Sequence, residues 1–204
     1  MGKLKQIILK SKYAYKILYY IYLLLGINKV KVKGQNNKII IEDGIELKHT
    51  QIVIMGNNNK VIIKNNVRIN EGTIICEGDN NTVIIEEGVL IFGKTDIAAL
   101  EGTTVKIGKN SLFSSNIVIR TSDSHSIINL ENDERINKAK DITIGERVWI
   151  TEGVSILKGA KVANNSVLAT KCVVTSQFDE PNVIIAGIPS KIIKRNIDWN
   201  VDKI

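Results

Sequence analysis

Two cysteines, two prolines, two histidines and only 5% aromatic residues in 204 positions narrow the possibilities from the outset. Two cysteines supply neither a disulfide framework nor a cysteine-based metal motif, and they point to a reducing, cytosolic compartment. Two prolines leave no Pro-rich linker, and the chain length suits one domain. The apolar run from Ile17 to Leu25, preceded by Lys16, is too short to span a bilayer, and no small-residue cleavage site follows it. Acidic residues are missing from residues 1–33, which hold eight lysines at 3, 5, 10, 12, 16, 29, 31 and 33. The whole chain carries +7, so everything after residue 33 sums to near −1. The positive charge is therefore local, and no nucleic-acid-binding motif accompanies it.

What is present is a beat of six. Ile144, Ile150, Ile156, Val162, Leu168 and Val174 are evenly spaced, and Val148, Val154, Ala160, Ser166 and Cys172 each follow one of them by four. Neither the helical period nor strand alternation produces that spacing. A solenoid of short flat faces does, with an aliphatic plug on each face and a compact residue at each bend. Cys172 then reads as a buried small hydrophobe. Upstream the beat continues in units of 22. Ile41, Ile63, Ile85 and Ile107 are followed by Leu47, Ile69, Ile91 and Phe113, and then by Val53, Ile75, Ile97 and Ile119 as the expected third plugs. Three faces need about 18 residues, so four remain. They coincide with the GQNN, GNNN and GDNN segments at Gly34, Gly56 and Gly78, whose residues tolerate positive φ. Four early coils with a protruding corner and two plain later coils are expected. Outward apolar residues such as Ile40, Ile62 and Ile84 would need cover.

Between Ile119 and Ile144 lie 25 residues where six would do, so about 19 must leave the coil, near 121–141. This excursion carries His125, and a histidine on a polar loop leaving a rigid scaffold is a strong catalytic candidate. His49, in an outward phase of an early coil, reads as a solvated surface residue. Trp149 precedes the plug Ile150 and so points outward.

These features together resemble the hexapeptide-repeat acyltransferases, in the branch of sugar O-acetyltransferases. The resemblance rests on the hexads, on Ser122-Asp123-Ser124-His125-Ser126-Ile127, on Ile144-Gly145-Glu146-Arg147-Val148-Trp149-Ile150, and on Ala186-Gly187-Ile188-Pro189-Ser190-Lys191. It implies a mainly β fold, a left-handed parallel β-helix solenoid over 34–180 with an extruded loop at 121–141. An N-terminal basic amphipathic α-helical segment, 1–33, would precede it. A C-terminal tail with a short helix, 181–204, would complete the coenzyme A site. Thr151, Ala163 and Ser190 depart from the usual pattern, each by a small residue.

The implied chemistry is acetyl transfer from acetyl-CoA to a hydroxyl of a capsular, exopolysaccharide or lipopolysaccharide saccharide. His125 would be general base, Asp123 would orient it or hold the loop, and Trp149 would line the thioester channel or stack on a sugar ring. Trp149, Ala169, Thr170, Lys171, Ser176, Ile188, Pro189, Lys191 and Lys194, with Arg195, are the expected coenzyme A contacts, the cations serving its phosphates. Asn116, Ser124 and Arg135 are candidate acceptor contacts, although a corner turn equally explains Asn116. No metal is expected: a metal-dependent carbonic anhydrase on this fold needs three histidine ligands. A small-molecule acceptor such as a galactoside or antibiotic, and a non-catalytic binding solenoid, are the alternatives. The resemblance further implies a homotrimer with its coenzyme site between subunits. The first segment either caps the open coil or lies on the anionic inner face of the cell membrane, a peripheral place for an otherwise cytoplasmic protein.

Overall fold

The computed structural model describes residues 27–202 continuously, together with residues 17, 20–22, 24 and 25. Lys3, Lys5, Lys10, Lys12 and Lys16 lie outside the described residues. Three parallel sheets wind around one core as the three faces of a solenoid. Face 1 stacks seven strands, from Lys29–Lys33 to Val173–Val174, and face 2 seven, from Lys38–Ile41 to Gln177–Phe178. Face 3 stacks seven parallel strands, from Glu46–Leu47 to Ile184–Ala186, and an eighth, Lys191–Lys194, antiparallel at its end. Seven coils result, one more than the hexads predict. The additional coil is shared between the two ends: Lys29–Lys33 is a strand and not part of a helix through residue 33, and Gln177–Phe178 and Ile184–Ala186 extend the solenoid past residue 180. Residues 17, 20–22 and 24 are helical, and the helix is joined to the solenoid at buried Asn28. The Asn28 side chain donates to Leu47 O at 2.9 Å and accepts from Thr50 N at 3.0 Å.

The plugs lie inside as the beat requires. Ile63, Ile85, Ile107, Ile144 and Val162 stack on face 2, and Leu47, Ile69, Ile91, Phe113, Ile150 and Leu168 on face 3, all essentially without exposure. Val148, Val154, Ala160, Ser166 and Cys172 fill the bends. Each stacked aliphatic contributes roughly 1.5–3 kcal/mol of burial. Val53 and Ile75 are the exception. They are only half-buried, and Ile52, Ile54, Ile74 and Cys76 occupy the interior. The corner after Leu47 or Ile69 has two residues, whereas the corner after Ile91 has three, Phe92 to Lys94, so the register pairs Ile74 with Ile97 across 23 residues. One residue fewer at a corner turns every side chain of the following strand over.

The protruding corners carry an asparagine ladder. Asn59 N donates to Asn37 Oδ1 at 2.9 Å, Asn81 N to Asn59 Oδ1 at 2.8 Å, and Thr103 N to Asn81 Oδ1 at 3.1 Å. Next to it the backbones of Gly34, Gly56 and Gly78 approach closely, and a Cβ on Gly34 would meet Gly56 O at 2.0 Å. The tail is not helical over its described residues, 181–202. Gly187 and Pro189 turn the chain back, and Lys191-Ile192-Ile193-Lys194 alternates as a strand, with Ile192 packed on the core.

Candidate active site

The excursion leaves at the edge between faces 1 and 2. Strand Ile119 pairs with Ile156 across 37 residues, where later coils use 18, so 19 residues depart. The two ends of the loop meet, with Lys140 N donating to Thr121 O at 3.0 Å. Thr121 is buried and ends the asparagine ladder: its hydroxyl lies 2.6 Å from Thr103 Oγ1 and accepts from Leu100 N at 2.9 Å. The outer part of the loop is a short hairpin, Ile136 N donating to Ile127 O and Asn129 N to Glu134 O, both at 2.9 Å. Asn129 and Asn132 close its tip by accepting from the main chain two residues on, a local bond that asparagine makes readily.

Polar side chains tie this loop to the scaffold. Glu101, at a corner with φ 60°, accepts two bonds from the Arg135 guanidinium, at 2.5 and 3.0 Å, and one from the Ser122 hydroxyl. Those donors hold its carboxyl at about 2, well below the usual carboxylate value, the Arg135 bond contributing most. Lys158, on the next coil, pairs with Asp123 and donates to Asn137 O at 3.2 Å. The Asp123 carboxyl is lowered as well, first by Lys158 and then by Asn137.

His125 is exposed, and no described residue hydrogen-bonds its imidazole. Its main-chain oxygen accepts from Asn137 Nδ2 at 2.8 Å. Asp123 faces Lys158 and Asn137, not the imidazole, which places it among the groups that hold the loop. Arg135 is engaged by Glu101 and Asn137, and Ser124 has φ 66° beside Ser122, whose Oγ accepts its N–H at 2.9 Å. Asn116 is a corner residue at φ 56°, its amide 3.4 Å from Glu152. His49 is likewise an exposed corner residue, at φ 48°.

Trp149 lies on face 3, the face that does not border the loop's edge. It is 37% exposed and its row neighbours are Leu112 and Val167. Its ring is covered by Trp199, centroid to centroid 6.1 Å and tilted 40°. Trp199 Nε1 donates to Arg147 O at 2.7 Å, and the Arg147 guanidinium sits 5.4 Å from the Trp199 ring centre. Ala169, Thr170 and Lys171 form the corner between faces 3 and 1 on the sixth coil. The Gly187–Ser190 turn folds onto the following strand, Val173 N donating to Gly187 O and Ser190 N to Val173 O. Ser176, Ile188, Pro189, Lys191 and Lys194 are exposed at this end. Lys171, Lys191 and Lys194 have no ion pair among the described residues, whereas Arg195 is held by Glu180 at 3.1 Å. No group of residues that could hold a metal occurs among the described residues.

The sequence reading missed Glu101, Asn137, Lys158 and Trp199. Nothing marks them in one dimension, since each acts on a residue at least 12 positions away.

No family model matches the chain. The crystal structure of the polySia-specific acetyltransferase NeuO superposes with a TM-score of 0.71 at 32% identity, covering 87% of this chain and 84% of that one. That of the polysialic acid O-acetyltransferase OatWY gives the same TM-score and identity, covering 87% and 92%. The chain belongs to the hexapeptide-repeat O-acetyltransferases. This acyltransferase family also supplies relatives by sequence alone. The polysialic acid O-acetyltransferase of Escherichia coli O1:K1 is 40% identical over 96 residues, which are 47% of this chain and 31% of that protein. The lipopolysaccharide biosynthesis O-acetyltransferase WbbJ of E. coli K12, itself a tentative assignment, is 35% identical over 106 residues, 48% and 53% of the two chains. The matched stretches thus span about a third to a half of those curated relatives.

Proposed function

We propose that this hexapeptide-repeat O-acetyltransferase moves the acetyl group of acetyl-CoA to a hydroxyl of a capsular or lipopolysaccharide saccharide, with His125 as general base. One observation carries the reading. The only histidine off the coil corners stands on a loop whose main chain is tied down on both sides while its imidazole stays exposed. The likeness to two polysialic acid O-acetyltransferases over most of the chain supports the acceptor class.

An alcohol is a poor nucleophile until its proton is being removed. Neutral His125 accepts that proton as the acceptor oxygen attacks the thioester carbonyl. The new C–O bond forms, the carbonyl pair moves onto oxygen, and main-chain N–H groups stabilise the tetrahedral oxyanion. Collapse re-forms the carbonyl and expels the coenzyme A thiolate, which takes the proton from the imidazolium. The free cations Lys171, Lys191 and Lys194 suit the coenzyme phosphates.

His125 and Trp149 lie on opposite sides of one solenoid, so a site containing both needs a second copy, as in a homotrimer. Exposed Ile127, Leu130 and Ile136 on the loop support such a contact. The described residues include no helix long and apolar enough to cross a membrane. Exposed Ile17, Tyr20, Leu24 and Leu25, at helical spacing within a lysine-rich segment, support a peripheral place on the inner membrane face.

Thiol release from acetyl-CoA against a panel of sialylated, capsular and O-antigen saccharides, with galactosides as the small-molecule arm, tests the proposal. Acceptor-dependent release should fall by about 10²–10⁴ in His125→Ala. Unchanged release in the variant would remove His125 as base, and no turnover with any acceptor would favour a binding solenoid.

A further inference from the structure

A general base on a 19-residue excursion is useful only if its main chain is fixed, because side-chain aim follows backbone position. The loop's own hairpin bonds lie beyond His125, at Ile127 and outward. The segment Asp123 to Ile127 therefore needs another anchor, and Asn137 provides it. Asn137 is nearly buried, and both ends of its amide are used. Nδ2 donates to His125 O and to Asp123 Oδ2, both at 2.8 Å. Oδ1 accepts from Ile127 N at 2.7 Å and from Arg135 Nε at 3.2 Å. One side chain thus holds the Asp123 carboxylate two residues before His125, and the main chain at His125 itself and two residues after it. The Asn137 main-chain oxygen is in turn held by Lys158 Nζ at 3.2 Å, which connects this grip to the coil below.

We propose that Asn137 is a positioning residue for the acetyl transfer: it fixes the main chain at His125 and thereby aims the imidazole. This rests on the reading of His125 as base. Only an amide can do the whole task, because the site asks for two donors and two acceptors from one compact planar group. Aspartate at this position would keep the bonds from Ile127 and Arg135. It would lose both donors and set a second carboxylate against Asp123.

The test uses the whole 204-residue chain in four forms: wild type, Asn137→Asp, His125→Ala and the double variant, assayed for kcat and for KM toward both substrates. Asn137→Asp should lower kcat roughly 10²-fold while leaving both KM values within about twofold. In the His125→Ala background the same substitution should cost less than about twofold, since a residue acting through His125 has nothing left to aim. An equal loss in both backgrounds, or a loss confined to KM, would overturn the proposal. Should His125→Ala alone keep wild-type activity, the base assignment fails first, and by a different result. Asn137→Ser, which removes the fork without adding charge, is read by the same criteria. If neither Asn137 variant folds, Asn137 supports the solenoid and not the aim of His125, and the proposal falls.

Discussion

Trp149 and Trp199, fifty positions apart, are ring neighbours at 6.1 Å, and they are the chain's two tryptophans. Intrinsic tryptophan emission therefore reports on this one spot. Trp199→Ala should uncover Trp149, shifting its emission to the red and raising its quenching by acrylamide, because an indole loses its apolar cover. Unaltered emission would mean that the tail does not shelter Trp149 in solution.

The asparagine ladder is expected to matter for stability out of proportion to its size. Asn81 is fully buried and joins Asn59, Thr103 N, Gly102 N and Glu77 O. Asn81→Ala leaves several of these groups without a partner, so equilibrium denaturation should register a loss of about 2–3 kcal/mol. A loss near zero would show that the ladder is replaceable by water.

Ser190 presents the opposite case. Its Oγ is shielded and has no hydrogen-bond partner among the described residues. The main-chain bond from Ser190 N to Val173 O survives substitution. Ser190→Ala should therefore raise the unfolding free energy, by up to about 1 kcal/mol. Destabilisation would reveal an interaction of the hydroxyl.

The loop anchor at Glu101 should depend on pH in a defined direction. Its folded value, about 2, lies below its ordinary value of 4.5 because Arg135 and Ser122 stabilise the charged form. A depressed carboxyl stabilises the fold above its unfolded value, and that contribution disappears as the pH falls through about 2. The thermal midpoint of Glu101→Gln should thus lie below wild type at pH 7, and the gap should close towards pH 2. A gap independent of pH would remove the charge from the explanation.

If the working site joins His125 of one copy to Trp149 of another, two inactive variants should complement. Co-expressed His125→Ala and Trp149→Ala chains should recover part of the activity that neither has alone. No recovery, from complexes containing both chains, would place the site within a single chain.

Much of this architecture is legible in one dimension because a solenoid repeats. Ile144, Ile150 and Ile156 are spaced by the width of a face, and the 19 surplus residues are found by subtraction from the coil length. Local chemistry explains the corners too, since Gly34, Asn58 and Asn80 sit at positive φ, which glycine adopts freely for want of a Cβ and asparagine at little cost. The slip at Val53 and Ile75 is where subtraction stops working. A corner shorter by one residue leaves the apolar pattern looking sound while turning the strand over.

The candidate site divides the same way. His125 stands out because it is a titratable residue on a departure from the repeat, and Trp149 because its phase points it outward. Sequence by itself therefore determined the repeat, the place of the excursion and the residue it displays, since each follows from spacing along the chain. Only the tertiary structure decided that Asn137 grips the chain around His125, that Glu101 and Lys158 anchor the loop, that Trp199 returns to cover Trp149, and that His125 and Trp149 face apart. The physical reason is that winding the coils, and folding the loop back on itself, sets residues 12 to 50 positions apart side by side, and hydrogen bonds and ring contacts act over a few ångströms of space whatever the distance along the chain.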